Sequence, residues 1–564
     1  MKVLSCMAHQ AAEDDPFLTL LPVGVGSLVA MLRSAGIEAK AANFIGLTLE
    51  EIRPVLDAER PDILGISVMT HNRSDSVRLA ELAKGLNPGC FVVFGGPHAT
   101  HRYREILATY PAVDAVVLGE GEETLRELAE TLTSDRQACL VSIRGLAVRC
   151  SSGIILTPPR SPVPVLDDLP PAYAGFEGGI NIDLRHQLEF IITSRGCPAS
   201  CSFCSSPRFW GKSLRFRSPQ NMVDEIRSVR DRYGLIYFSI RDDTFTADRA
   251  RVIEFCRLLL EERLFILWNC QSRVSAVDRE MLIWMRRAGC DCIQYGIESG
   301  SPVLLKSLGK RATPEQAVKA AELTRRVGIR LSIYLITGVP GETEQELRET
   351  LSHLEAVKAD DGQVSPLAYY PGTRLFEEAV TSGNVPADIF ERSSAEAIYV
   401  RNDSFVAAAT RRLLKKIESI AATNSPGRRE VAAILRVTGY CHAGNIAAGE
   451  FMTAEGSYGG AERRFKEIVE REPDNPWGWL LLGELWREMN RTAESLSAYR
   501  KLAELVPAHI PAWESLAELN AVMENHREAG ECRGQAAKLE SLAETGMNVT
   551  EWNTGERYHV RHQQ

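Results

Sequence analysis

Over the first 130 residues, short apolar runs alternate with stretches whose apolar positions recur every three or four residues. KVLSCM, DILGISVMT, CFVVFGG and AVVLGEG read as strands, and VGSLVAMLRSAG and SVRLAELAKGL between them read as helices. This alternation predicts an α/β unit over residues 1–139, a doubly wound parallel sheet. Ligands of such sheets lie beyond the carboxyl ends of the strands, where the chain supplies small or polar residues from Ser67 to Asn72, Gly95 to Thr100 and Gly119 to Glu122. The pattern then breaks. Residues 140–187 hold two short strands, SIRGLAVRC and GIILTPP, and the proline-rich SPVPVLDDLPPAY, which together read as a connector.

From 188 to 404 the alternation resumes. Strand candidates EFIITS, LIYFSI, LFILWN, CIQYGIE, RLSIYLITG and QVSPLAY are separated by helical segments, predicting a partial α/β barrel of six parallel strands with its reactive face at their carboxyl ends. From 405 to 564 only helical patterning remains. Phe465, Pro473, Trp479, Leu482 and Leu485 recur 34 residues later as Tyr499, Pro507, Trp513, Leu516 and Leu519. That period predicts tetratricopeptide repeats at about 457–541, with Trp477, Trp479, Trp486 and Trp513 serving helix packing and any concave surface open to a protein partner.

At 564 residues the chain is long enough for three or four folded units. Its net charge of −9 repels a phosphate backbone and argues against general nucleic-acid binding. No run of 18 apolar residues occurs, and the opening MKVLSCMAHQAAEDD turns acidic where a signal peptide needs apolar length. The expectation is a cytoplasmic protein without a membrane span. Thirteen cysteines are too sparse for a disulfide scaffold, so their spacing matters more than their number.

Cys197, Cys201 and Cys204 follow the first barrel strand as CxxxCxxC within SRGCPASCSFCSSP. Three thiolates so placed can hold three irons of a [4Fe-4S] cluster and leave the fourth open to a ligand. A zinc knuckle, the alternative, needs a fourth Cys or His at short range, and the next thirty residues contain neither. Cys290 and Cys292 read as small packing residues, and the other cysteines lack metal spacing.

CxxxCxxC with Phe203 before its last cysteine, on this loop of a partial barrel, resembles the radical S-adenosylmethionine (SAM) superfamily. The resemblance implies that SAM chelates the open iron and is cleaved by one electron to a 5′-deoxyadenosyl radical. It implies that Phe203 packs by the adenine, that Asp242 and Asp243 of RDDTFT meet the SAM amino group although the usual GGE triplet is absent, and that Glu298 of YGIESGS contacts the ribose or methionine moiety. Arg273 offers a planar donor to the SAM carboxylate. ITGVPGET, with Ile336 and Gly338, resembles the segment that runs along the adenine, and YYPGT at 369–373 resembles the sixth-strand motif.

GGPHAT and GEGE, preceded by LLPVGVGSLVAMLRSAG, resemble the cobalamin-binding domain that precedes some radical SAM barrels. The implied contacts are Ser67 and Thr70 on the nucleotide tail and backbone approach at Gly95, Gly96, Gly119 and Gly121, with His98 and Glu120 on the same edge. The DxHxxG motif that puts a histidine on cobalt is absent, and His9, His71 and His98 read as hydrogen-bonding or surface residues. A flavodoxin-like sheet that binds nothing is the alternative for this unit. The combined resemblance implies an enzyme using a [4Fe-4S] cluster, SAM and cobalamin for radical methyl transfer to an unactivated carbon. Ring formation by the same class is the alternative. A methylthiotransferase is disfavoured because Cys6, Cys90 and Cys139 lie far from matching strand ends, and a repeat scaffold with decayed catalysis is disfavoured by the intact cysteine triad. The expected partners are a small-molecule or peptide substrate, a flavodoxin or ferredoxin as reductant, and a protein at the repeats.

Overall fold

The computed structural model describes residues 1–9, 20–151, 153–424 and 427–545. The acidic stretch at 13–15 and the tail beyond 545 lie outside the described residues. Seven strands form the first sheet: β1 (Lys2–His9), β2 (Glu38–Ile45), β3 (Ile63–Ser67), β4 (Phe91–Gly95), β5 (Ala115–Val117), β6 (Leu146–Cys150) and β7 (Gly153–Leu156), in the order β2-β1-β3-β4-β5-β6-β7. β1 to β5 run parallel, connected by α1 (Val23–Ser34), α2 (Leu49–Glu59), α3 (Arg73–Leu86) and α4 (Pro97–Thr109), and α5 (Glu122–Ser134) follows β5. β1 is buried along nearly its whole length, as a strand covered by helices on both faces must be.

The boundary at 139 needs correction. β6 pairs antiparallel with β5, and β7 pairs antiparallel with β6, so the two strands read as part of the connector extend the first sheet instead. Leu146, Ala147 and Val148 are buried and drive that pairing, whereas β7 is a largely exposed edge. The remaining link contains β8 (Ile182–Asp183).

The second sheet has six parallel strands: β9 (Phe190–Ile191), β12 (Tyr237–Ile240), β13 (Leu267–Ser272), β14 (Cys290–Glu298), β15 (Arg330–Thr337) and β16 (Asp361–Pro366), neighbours in that order. Between β9 and β12 a two-stranded antiparallel ribbon, β10 (Ser194–Arg195) with β11 (Arg215–Phe216), carries the cysteine loop. The crossover helices are α6 (Pro219–Tyr233), α7 (Arg249–Glu261), α8 (Arg279–Arg287), α9 (Pro314–Arg326) and α10 (Glu344–Val357), with α11 (Ser404–Thr423) following. Alternation along the strands sorts the residues. Phe238, Trp268, Cys270, Ile293, Tyr295 and Ile333 are buried among the helices, while Tyr237, Gln271, Gln294 and Tyr334 are half-buried. Cys290 and Cys292 are buried in this wall, as packing residues are.

Among the described residues seven helices follow: α12 (Arg428–Thr438), α13 (His442–Ala454), α14 (Tyr458–Arg471), α15 (Pro476–Glu488), α16 (Thr492–Leu505), α17 (Ile510–Val522) and α18 (His526–Ala543). The 34-residue period appears as one bond made twice: Trp479 Nε1 donates to the Pro473 carbonyl and Trp513 Nε1 to the Pro507 carbonyl, each at 2.8 Å. Successive helices stack antiparallel, and this stack closes the amino-terminal end of the barrel. Ile236 and Leu267 share a core with Ala443, Ile446, Trp477 and Leu481. Arg286 Nη2 donates to the Ala443 carbonyl at 2.8 Å, and His509 Nδ1 donates to the Gly234 carbonyl at 2.9 Å. Gly234 permits this approach, because a Cβ there would stand 2.2 Å from the Ala508 carbonyl oxygen. The chain then returns to its middle through β17 (Glu544–Thr545), which pairs with β8.

Candidate active site

The cysteine loop is held from both flanks. Gly196 adopts φ +99°, and a Cβ there would lie 2.1 Å from the Ser213 carbonyl oxygen, so the turn into Cys197 requires glycine. Ser202, between the second and third cysteines, donates its N–H to the Leu308 carbonyl at 2.8 Å and accepts from Leu375 N–H at 2.9 Å. The three cysteines are free, Cys197 buried and the other two half-buried. Burial pushes the Cys204 thiol up to about 12, and the other two thiols act in the same direction. Among the described residues no three Cys, His, Asp or Glu side chains already stand in metal-ligating geometry. The fit to a [4Fe-4S] cluster rests on donor chemistry: three thiols on one pinned loop, each within electrostatic range of another.

Around this loop the expected SAM contacts divide. Phe203 packs with Ile336, Leu304 and Val339 in a small apolar cluster. Gly338 stands at φ +76° and donates its N–H to Glu342 Oε2 at 2.6 Å. Burial raises the Glu342 carboxyl, while the Gly338 and Val339 amides oppose that shift. Arg273 lies within electrostatic range of Cys197, and its side chain makes no hydrogen bond or ion pair among the described residues. Asp243 accepts from the Ser206 hydroxyl beside the loop, and its carboxyl is raised by its enclosed setting, with the Ser206 bond opposing.

Two residues are otherwise engaged. Asp242 is buried and accepts from Thr193 N–H at 2.6 Å, the Thr193 hydroxyl at 2.5 Å and Ser194 N–H at 3.0 Å, so its carboxylate braces the strand end before the cysteine loop instead of facing a ligand. Glu298, at φ +68° on a bulge of β14, pairs with Lys310 Nζ at 2.5 Å, both side chains buried. Lys310 gives no signal in the sequence, because nothing in LGKRAT marks it as a partner.

At the carboxyl edge of the first sheet, Gly96 stands at φ +91°, where a Cβ would lie 2.9 Å from the Val68 carbonyl oxygen, and Gly119 stands at φ +69° with open space around it. Gly95 and Ser67 are paired in register, both half-buried, and Gly121 lies against Leu28. Thr70 and His98 are both buried and bonded to each other, Oγ1 to Nδ1 at 3.2 Å, with His98 edge-on to Phe390. Burial, reinforced by the Arg73 and Arg102 charges, pushes His98 down to about 3, leaving it neutral. The pair therefore serves the protein's own packing. His71 Nε2 and His101 Nε2 are buried at this edge without a hydrogen-bond partner. These orphaned nitrogens and the open space at Gly119 fit a large ligand with polar groups, as cobalamin is.

The two carboxyl edges face each other. Arg73 donates to the carbonyls of Thr70, Phe390, Ser393, Ala395 and Glu396, binding the chain after the sixth barrel strand across the first sheet. Arg102 pairs with Glu391 at 2.6 Å, and Gly372 of YYPGT lies against the His101 ring. Glu120, expected as a cofactor contact, is buried against the barrel instead: it accepts from Arg195 Nη1 at 3.0 Å and from both Arg215 nitrogens. Arg195 also donates to Glu122 Oε1 at 2.5 Å and lies 4.9 Å from the Trp210 ring centre. A cavity of about 200 Å3 sits behind Arg195, walled by Trp210, Tyr173 and Val23, and none of the three thiols lines it. Sequence reasoning missed Arg73, Arg102, Arg195, Arg215 and Glu122. Only Glu122 carried a signal, as the second glutamate of GEGE.

Residues 191–354 match the radical SAM superfamily, 17–129 the B12 binding domain and 452–519 a tetratricopeptide repeat. An uncharacterised methyltransferase of Pyrococcus horikoshii is 32% identical across 64% of this chain and 79% of its own length. An anaerobic magnesium-protoporphyrin IX monomethyl ester cyclase of Rubrivivax gelatinosus is 30% identical over 59% of this chain and 61% of its own length. The solved structure of the radical SAM methyltransferase TsrM from Kitasatospora setae, with cobalamin and a [4Fe-4S] cluster bound, shares the fold at a TM-score of 0.58 and 20% identity, covering 68% of this chain and 75% of that one. The thiol loop on one sheet edge and the glycine-lined edge opposite are thus the parts of a known pairing, and the chain belongs to the radical SAM superfamily, among its members that carry a B12-binding domain.

Proposed function

We propose that the chain is a cobalamin-dependent radical SAM methyltransferase acting on an unactivated carbon of a small-molecule or peptide substrate. The observation that carries this reading is the edge-to-edge meeting of the two sheets, with the thiol loop opening two residues after the arginine that bonds Glu120. When bound, the cluster with SAM supplies a one-electron bond cleavage and cobalamin supplies a methyl carrier.

The protein's own part is to hold, orient and exclude water. Cys197, Cys201 and Cys204 hold the cluster. Phe203, Ile336 and Gly338 give the adenine an apolar bed and a close backbone. Arg273 meets the SAM carboxylate with a fixed planar fork, and Asp243 accepts from the SAM amino group. Gly95 and Gly119 let the corrin approach, with Ser67 at the tail, while Gly96 and Gly121 pack on Val68 and Leu28 behind them. The segment bound by Arg73 covers the junction and keeps solvent out. A flavodoxin or ferredoxin in a reducing cytosol supplies the electron, and the repeats offer a surface to a protein partner.

Anaerobic purification and cluster reconstitution, with the Cys197→Ala, Cys201→Ala, Cys204→Ala triple variant alongside, tests the reading. Cobalamin bound by both proteins, with about four irons only in the parent, supports it. Iron without cobalamin leaves a radical SAM enzyme with a repurposed first sheet. The relatedness to a cyclase gives a second reading, and product analysis separates the two: methyl transfer yields S-adenosylhomocysteine alongside 5′-deoxyadenosine, whereas ring formation yields only the latter.

A further inference from the structure

Arg195 occupies a singular place. Two residues ahead of Cys197, with only Gly196 between, it is buried and reaches out of the barrel into the first sheet. Its fork takes Glu120 with one nitrogen and Glu122 with the other. These carboxylates flank Gly121 at the edge beyond β5. Glu122 is further fixed by the Ser27 hydroxyl of α1 at 2.9 Å, and Glu120 by Val163 N–H at 3.1 Å and by Arg215, the cross-strand partner of Arg195. Trp210 covers the guanidinium.

A buried fork satisfied by two carboxylates has one geometry, and displacing either end breaks a charge-assisted bond between buried groups. A rigid ribbon and a positive-φ glycine carry that geometry to the first cysteine. On the other side, whatever seats in the open space at Gly119 bears on the adjoining Glu120 and, through the same turn, on Glu122. The occupants of the two edges therefore share one mechanical element.

Resting on the function proposed above, we propose that Arg195 is a positioning residue that couples the cobalamin edge to the cluster loop through Glu120 and Glu122, so that each site binds its cofactor more tightly when the other is filled. Coupling between sites is reciprocal for binding free energies, and built couplings commonly span about 5- to 150-fold. Lysine in place of Arg195 keeps a charge but offers a point where a fork is needed. Glutamine at 122 keeps the shape and removes the charge.

The test titrates hydroxocobalamin, followed by absorbance, into cluster-free and cluster-reconstituted protein for the parent, Arg195→Lys and Glu122→Gln. In the parent, affinity should rise at least about 5-fold with the cluster present. Loss of that difference in either variant, with parent-like iron content and melting temperature, supports the coupling. Ser27→Ala, which removes only one bond to Glu122, is read in the same way should a variant fold poorly. Equal affinities with and without cluster in the parent, or a difference retained in every folded variant, overturn the proposal. A parent that binds iron but no cobalamin overturns the functional reading itself, and the coupling with it.

Discussion

Replacing Asp242 separates its observed role from the one its position suggests. The carboxylate is 1% exposed and takes three donors from Thr193 and Ser194, all on the chain entering the cysteine loop. Next to it, buried Arg251 donates to the Thr193 carbonyl at 2.9 Å and to its hydroxyl at 2.7 Å, and Asp242 is the leading charge that favours its ionised state. In Asp242→Asn the oxygen can still accept from both amides, but charge assistance is lost, a donor now faces a hydroxyl already engaged by Arg251, and Arg251 loses its compensating charge. Hydrogen bonds to charged groups contribute about 1.5–3 kcal/mol each, and the substitution removes the charge from all three. Local destabilisation of about 3 kcal/mol follows as a minimum, or about 100-fold in the opening equilibrium. Hydrogen exchange read by mass spectrometry on peptides spanning 190–205 measures this directly: the Thr193 and Ser194 amides should exchange about 100-fold faster in Asp242→Asn and faster still in Asp242→Ala. SAM affinity, in variant protein that retains its cluster, should stay within a few-fold of the parent. Parent-like exchange together with a large loss of SAM affinity would refute the bracing role and return Asp242 to the cofactor.

Gly196→Ala meets both a forbidden backbone region and a carbonyl oxygen 2.1 Å away, so reconstituted iron should fall from about four per chain to below one, measured by iron assay. Acidification should unsettle the fold through His98 and His442, which burial pushes down to about 3 and about 4. Their native forms stay neutral while the unfolded chain takes up protons below pH 6.5, so stability present above that pH is lost as pH falls toward 4. At pH 5 this amounts to about 2 kcal/mol for each histidine, and a urea midpoint unchanged between pH 7.5 and 5.0 would count against it. At the repeat junction, Arg286→Ala removes the charge-assisted bonds to the carbonyls of Ala443 and Cys290 and should cost about 1.5–3 kcal/mol. Arg263→Ala, which removes an exposed pair with Asp474 and the stacking of the guanidinium over Phe265, should cost about 1 kcal/mol in the same denaturation assay.

What the sequence made legible was whatever repeats or alternates locally. The six barrel strands announce themselves because Phe238, Trp268, Ile293 and Ile333 face helices while polar neighbours face inward, and the repeats because Trp479 and Trp513 make the same bond 34 residues apart. The cysteine loop needed only spacing. β6 and β7 read as part of a connector because a proline-rich run follows them where the helix–strand alternation breaks, and their antiparallel pairing onto β5 leaves no local pattern. Asp242 and Glu120 stand at strand ends where cofactor ligands stand, and a carboxylate at such a place looks the same whether it faces a ligand or a neighbouring loop. What decides is the partner: Thr193 lies 49 positions before Asp242, and Arg195 and Arg215 lie 75 and 95 positions after Glu120. No local pattern encodes such pairs.

The closing of the barrel's lower end by the repeats also dictates an order in time. The carbonyl of Gly234 waits for His509, 275 residues further along the chain. At roughly 5–20 residues per second, synthesis takes about 15 to 55 s to deliver that partner. Within the same interval Ile236 and Leu267 wait for Ala443, Ile446, Trp477 and Leu481, the residues they are buried against in the finished protein. The order of synthesis therefore leaves the apolar floor of the barrel without its cover until the repeats that supply it have been made.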